Sequence, residues 1–239
     1  MKKNILKKFA IAIASTTLAL TAPVTMPDAS VITIQTVEAA TVKTPSTVKL
    51  SKISAPAYNK IKISWKKAKN ATKYYVYYRK SGTKKWKKIA SVKNTSSSYT
   101  HKSSSKYPII VGQKYDYTVK AYNSKYKKSG KYNTKGLSIK TIPNPATEIS
   151  VATKNGTVNI SWEKANGADR YIIYRKTSPT EKWIKLATVS DTEYTDNNPV
   201  VKQDNYYTVR SYYSKTKTYG NYNQHGIEVY VSALSLIHI

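Results

Sequence analysis

The chain has no cysteine, a single phenylalanine and three histidines among its 239 residues. The missing cysteine excludes disulfides, thiol nucleophiles and thiolate-held metals. Acid is nearly as scarce over the first half: from Thr41 to Thr141 the only carboxylate is Asp116. A glycosidase needs two carboxylates facing each other across a cleft, and that stretch owns one. His101, His225 and His238 have no acid and nucleophile at a spacing that suggests a triad, so no general base is set up for work. His101 reads as a polar strand-end residue. No segment repeats apolar residues at helical period, and the longest apolar run, the fourteen residues Phe9–Ala22, falls short of the about 20 needed to cross a bilayer.

What is present is a unit stated twice. Ile61–Arg79 reads ISWKKAKNATKYYVYYR from its third residue on (Ile63), and Ile160–Arg175 reads ISWEKANGADRYIIYR. Successive side chains in a strand point to opposite faces, so Trp65, Tyr74, Val76 and Tyr78 fall on one side, as do Trp162, Tyr171 and Ile173. Aromatic and β-branched residues on that side suit the buried face of a twisted sheet. Trp183 repeats Trp86, Tyr194 repeats Tyr99, and Tyr207 with Val209 repeats Tyr117 with Val119. Gly220, Tyr222, Asn223 and Gly226 repeat Gly130, Tyr132, Asn133 and Gly136. A unit of about 95 residues is long enough to bury its own core without a staple.

Taken in order, residues 1–40 read as an export signal, with Lys2, Lys3, Lys7 and Lys8 ahead of the apolar run and a cut after Ala39 or Ala40. Residues 41–47 are a polar linker, 48–141 the first unit and 142–233 the second, joined through Ile142-Pro143-Asn144-Pro145. In the first unit strands are expected from Val48 until Ala55-Pro56 breaks the run, then over 59–65, 74–79, 86–92, 97–101, 113–122 and 132–141. Seven short strands with regular turns predict an all-β antiparallel sandwich in each unit. The last six residues, Leu234–Ile239, have no counterpart in the repeat. They are what CTG TCT CTT ATA CAC ATC encodes, which resembles a transposase end attached during library preparation, and are expected to be foreign read-through.

This pattern resembles tandem fibronectin type III domains in the bacterial form found on secreted and cell-surface proteins. The resemblance rests on Trp65 and Trp162, on the Tyr-x-Val and Tyr-x-Ile runs that follow them, and on Gly112-Gln113-Lys114-Tyr115, similar to the family's glycine and corner tyrosine. It implies two tandem immunoglobulin-like sandwiches. The second unit departs at the corner, where Lys202 and Asn205 replace the glycine and the tyrosine. Domains of this family serve as spacers, adhesive modules and enzyme accessories alike, so the resemblance defines a fold and not an activity.

Charge separates the two units. Residues 41–141 carry 26 basic side chains against one acid, a balance of +25, while 142–239 carry 11 against 9 acids, a balance of +2. One scaffold supports both, so the fold does not require the charge. Lysine on exposed strands blocks edge pairing, but that need is equal in both units. The first unit has one arginine, Arg79, and lysine is a point charge without the bidentate fork, which suits diffuse attraction to a polyanion. The 22 tyrosines divide by strand face. Tyr74, Tyr78, Tyr115, Tyr117, Tyr171 and Tyr207 are expected in the core, while Tyr75, Tyr77 and Arg79 face outward beside Asp116, Thr118, Lys120 and Tyr122. The candidate polyanion site is therefore Lys84, Lys85, Lys87, Lys88, Arg79 and Lys120 with Tyr75, Tyr77 and Tyr122. Asp191, Glu193 and Asp196 are the nearest acid cluster, but without the glycine-punctuated spacing of a calcium loop they read as a solvated loop.

The reading is a secreted, cell-wall-associated, non-catalytic module of monomeric domains without cofactor or metal. Its first domain is expected to bind an anionic wall polymer or polysaccharide, with extracellular DNA as another polyanion. The alternative is the N-terminal accessory region of a secreted wall- or polysaccharide-degrading enzyme.

Overall fold

The computed structural model describes residues 42–233; the expected export signal and the terminal hexapeptide lie outside the described residues. The first sandwich is built from β1 (Lys49–Ala57), β2 (Lys60–Lys66), β3 (Lys73–Lys80), β4 (Lys87–Lys93), β5 (Ser98–Lys102), β6 (Tyr115–Asn123), β7 (Lys128–Ser129) and β8 (Leu137–Ile139). Its sheets run β1-β2-β5 and β4-β3-β6-β7, with β8 also on β6, all antiparallel. The second contains β9 (Thr147–Lys154), β10 (Thr157–Glu163), β11 (Arg170–Lys176), β12 (Ile184–Val189), β13 (Glu193–Asp196), β14 (Gln203–Tyr213), β15 (Thr218–Tyr219) and β16 (Ile227–Val231). Its sheets, β9-β10-β13 and β12-β11-β14-β15 with β16 on β14, reproduce the same order.

Alternation places the apolar residues as expected. Ile61, Ile63, Trp65, Tyr74, Val76, Tyr78, Tyr115, Tyr117 and Val119 are buried in the first core, and Val158, Ile160, Trp162, Tyr171, Ile173, Tyr207 and Val209 in the second. Each full burial of a residue such as Ile63 or Val209 contributes about 1.5–3 kcal/mol. The paired tryptophans do the same work twice. Trp65 meets the Tyr74 ring at 5.4 Å and Trp162 meets Tyr171 at 5.3 Å, both steeply inclined. Each tyrosine hydroxyl then accepts a loop N–H, from Ala68 and from Ala165, at 2.8 Å. A core tyrosine needs such a partner for its polar end.

Three expectations change. Ala55-Pro56 does not break the first strand; β1 runs through it to Ala57 with an irregular register after Ser54. Because β1 is an edge strand, the missing proline N–H removes no ladder bond. The expected closing strand over 132–141 shortens to β8, Leu137–Ile139, and is preceded by an excursion in which Asn133 Oδ1 accepts the N–H groups of Lys135 and Gly136, both at 3.0 Å. Asn223 does the same for His225 and Gly226. Finally, Asp116 and Thr118 do not face solvent: they are 6% and 0% exposed. The Thr118 hydroxyl donates to the Asn133 carbonyl at 2.7 Å, so the excursion folds over the sheet and covers it.

At the joint, the Thr216 hydroxyl of the second sandwich donates to the Val111 carbonyl of the first at 2.9 Å. Gly112 follows at φ +77°, and any Cβ there would strike the hydroxyls of Thr216 and Thr218. The crowding requires glycine at this position, and the positive φ favours it.

Candidate functional site: a lysine and tyrosine face on the first sandwich

The outer face of β3 and β6 is built by register. Lys73 pairs with Tyr122, Tyr75 with Lys120, Tyr77 with Thr118 and Arg79 with Asp116. Two of these cross-strand pairs therefore set a cation opposite an aromatic ring. The Lys73 ammonium lies 5.0 Å from the Tyr122 ring centre and 5.5 Å from that of Tyr75, and Lys88, reaching in from β4, lies 4.6 Å from Tyr75. Such contacts contribute about 0.5–1 kcal/mol each when exposed. Tyr75 and Tyr122 thus already have ammonium groups over their rings.

Arg79 is engaged. Its Nε–H donates to Asp116 at 3.0 Å, and its guanidinium stacks 4.2 Å above the Trp86 ring. Asp116 also accepts hydrogen bonds from the hydroxyls of Ser81 at 2.5 Å and Ser138 at 2.7 Å. Burial alone would raise its carboxyl, but these three donors and the guanidinium charge hold it below the ordinary 3.8. The first unit's only arginine and only acid neutralise one another. Among the described residues both ion pairs involve arginine, the other being Arg175–Asp196 at 2.7 Å, so no described lysine is paired to a carboxylate.

The densest run, Lys84, Lys85, Lys87 and Lys88, sits on the turn into β4 and on β4 itself, the free edge of its sheet, with all four side chains exposed. Lys85 and Lys87 flank an open cavity of about 410 Å³ floored by Tyr78 and Tyr115. Lys88 connects this edge to the tyrosine face. The structure thus gathers Tyr75, Tyr77, Tyr122, Lys88 and Lys120 on one face, leaves Lys84, Lys85 and Lys87 along its edge, and assigns Arg79 to Asp116.

Sequence reasoning missed Trp86 and Tyr132 as site residues. With Tyr77 and Lys120 they line a pocket of about 210 Å³, and the Lys120 ammonium is 5.6 Å from the Tyr132 ring centre. Burial and the neighbouring Tyr75 and Tyr132 push the Tyr77 hydroxyl above its usual value of 10.0, so it stays a neutral donor. The available signal was the repeat itself, where Trp183 and Tyr222 stand at the matching places.

His101 is buried among aromatics. Its Nε2 lies 3.1 Å from the Tyr107 carbonyl and its Nδ1 2.7 Å from the Tyr117 hydroxyl. A carbonyl only accepts, so Nε2 carries the proton and Nδ1 accepts from Tyr117. Burial lowers its titration below the ordinary 6.5. In the second sandwich Asp196 takes the place of His101. It receives the Tyr207 hydroxyl at 2.8 Å and an Arg175 N–H at 2.7 Å. Asp196 is only 4% exposed, which corrects its reading as part of a solvated loop; Asp191 and Glu193 are exposed. The three carboxylates do not converge, and no metal-holding group occurs among the described residues.

These features define a tandem pair of antiparallel β-sandwiches with a cation–aromatic face on the first. The fold is that of fibronectin type III tandems. A two-domain fibronectin type III segment of chicken tenascin matches at a TM-score of 0.56 and 14% identity, over 80% of this chain and 100% of that one. The first three fibronectin domains of chicken contactin-1 align over 80% of this chain and 69% of theirs, at 19% identity and a TM-score of 0.36. No family model matches the sequence, and no curated protein matches it significantly. No helix among the described residues is long and apolar enough to cross a membrane.

Proposed function

We propose that this chain is a secreted binding and spacing module whose first sandwich adheres electrostatically to an anionic cell-wall polymer or glycan. The observation that carries this reading is the unbalanced charge of the first sandwich. Among the described residues none of its 25 lysines is paired to a carboxylate, and its own one acid is taken by its one arginine. The second sandwich has the same strand order and nearly balanced charge. A fixed excess of one sign raises the local concentration of oppositely charged polymer. Lysine ammoniums spread over an edge strand and a flat face suit a polymer read by charge density more than by shape.

The test is binding of residues 42–233 to purified wall material with and without its anionic polymers, across a salt series. Counterion release predicts that log affinity falls linearly with log salt, by about 0.7–0.9 per neutralised charge on nucleic-acid scales. Retention that survives removal of the anionic polymers, or that ignores salt, would overturn the proposal.

A further inference from the structure

We infer that the pocket formed by Tyr77, Trp86, Lys120 and Tyr132 is a subsite for one hexuronate ring of an acidic glycan. This rests on the polyanion reading above and names the chemistry of one position within it.

The pocket is built rather than incidental. Tyr77 and Lys120 come from paired strands β3 and β6. Trp86 is held against the sheet by the stacked Arg79 guanidinium, itself fixed by Asp116, and its ring edge packs over Gly136, where a Cβ would sit 3.0 Å from it. Tyr132 projects from the excursion anchored through Asn133 to Thr118, Lys135 and Gly136. The walls are thus placed before any ligand arrives, which lowers the ordering cost of binding.

The chemistry is specific. Aromatic walls suit the C–H face of a pyranose, the neutral Tyr77 hydroxyl supplies a donor, and Lys120 is the free cation because Arg79 is already neutralised. The space of about 210 Å³ is below the about 300–1,000 Å³ of drug-sized pockets, which fits a single ring. Because the cation lines the same small pocket as the aromatic walls, the ligand's charge must be attached to the ring that fills it. A hexuronate meets that condition, its carboxylate being bonded to a ring carbon. A nucleotide does not, since its phosphate is separated from the base by ribose, and base-stacking proteins present successive open platforms instead. A polyol phosphate has no ring to stack.

The second sandwich is an internal control. Tyr174, Trp183, Arg210 and Tyr222 occupy the matching positions, but there the cation serves the fold. The Arg210 guanidinium lies 4.7 Å from the Tyr219 ring centre and 5.0 Å from that of Tyr222, and its Nε–H donates to the Gly220 carbonyl at 2.9 Å. Tyr174 stacks on Tyr222 at 6.4 Å. Lys120 has no fork to reach a backbone carbonyl as Arg210 does, so its ammonium stays at the pocket wall.

The experiment titrates ¹⁵N-labelled residues 42–233 with trigalacturonate, its neutral methyl ester, polyphosphate and oligothymidylate. Trigalacturonate should shift the amides of Tyr77, Lys120 and Tyr132 and the indole of Trp86, and the methyl ester should bind at least tenfold more weakly. Tyr132→Ala should weaken trigalacturonate at least tenfold while leaving polyphosphate affinity unchanged. Lys120→Arg, which keeps the charge but adds a bulkier guanidinium at the pocket wall, should have the same two effects. Spectral dispersion shows that each variant is folded. Polyphosphate binding with no trigalacturonate shift at the pocket overturns the subsite and leaves the charge reading standing. Pocket shifts by trigalacturonate, with wall binding that ignores salt, overturn the charge reading alone. Pocket shifts by oligothymidylate and not by trigalacturonate make it a base platform and overturn the subsite.

Discussion

Asn205 Oδ1 accepts the N–H of Val200 at 3.1 Å, while its Nδ2 donates to the Val200 carbonyl at 2.7 Å. In the first sandwich the same corner is closed by Tyr115, whose hydroxyl accepts the Ile110 N–H at 3.2 Å. Both bonds span five residues. The second sandwich therefore replaces the corner tyrosine with a two-ended amide clasp, and Lys202 takes the turn at φ +60° without glycine. Asn205→Ala removes side-chain bonds to three backbone groups, the Val200 N–H and carbonyl and the Gln203 carbonyl, and should cost about 2–4 kcal/mol. Tyr115→Phe removes one acceptor and should cost about 1 kcal/mol. Urea unfolding of each variant checks the order; equal losses would mean the clasp does not hold the corner.

His101 predicts an acid-sensitive first sandwich. Its folded titration lies below the ordinary 6.5, so below that pH the unfolded chain binds the proton first. Stability is then full above about pH 6.5 and declines as pH falls towards the folded value, by at most about 1.4 kcal/mol per unit. His101→Gln should flatten that slope in a melting series between about pH 7 and 5. A slope unchanged by the substitution would assign it to another group.

Asp116 predicts a second, more acidic window. Its folded carboxyl is held below 3.8, so its contribution is present above that pH and is lost as pH falls through the folded value. Asp116→Asn should remove this step and lower stability by about 1–3 kcal/mol, since the arginine side chain, 18% exposed, keeps some contact with water. It should also loosen the Arg79–Trp86 stack, which a shift in tryptophan emission reports.

The edge lysines should carry long-range attraction. Replacing Lys84, Lys85, Lys87 and Lys88 together by glutamine should cost no more than the Lys88–Tyr75 contact, about 0.5–1 kcal/mol, because all four side chains are exposed. Polyanion affinity should fall, and the salt slope should shrink by about 0.7–0.9 for each lysine that contacts the polymer. A contact of five or six lysines loses on the order of a hundredfold or more between about 50 and 200 mM salt before substitution.

The joint offers a separate test. Gly112→Ala places a Cβ against Thr216 and Thr218 and asks alanine for φ +77°. The strained backbone should cost about 1–2 kcal/mol, and the Thr216–Val111 hydrogen bond should break. Thr216→Val removes that bond without the strain, so small-angle scattering that changes in both variants assigns the effect to the joint.

The sequence alone determined the sandwich and its two-fold recurrence. A period of two with Trp65, Tyr74 and Tyr117 on one side leaves only one face to bury, and the second copy states the same pattern with Trp162, Tyr171 and Tyr207. It also determined the charge contrast, which is a sum over residues and needs no geometry. What only the tertiary structure decided is which polar groups are free. Asp116 and Thr118 alternate onto the outer face, yet a loop some fifteen residues downstream, at Asn133, folds over them. Arg79 looked like one more surface cation until Asp116 and Trp86 closed on it. Period along a strand reports direction, whereas partnership depends on what distant segments place opposite. That is why Trp86 and Tyr132, silent as neighbours in the chain, meet Lys120 at one pocket.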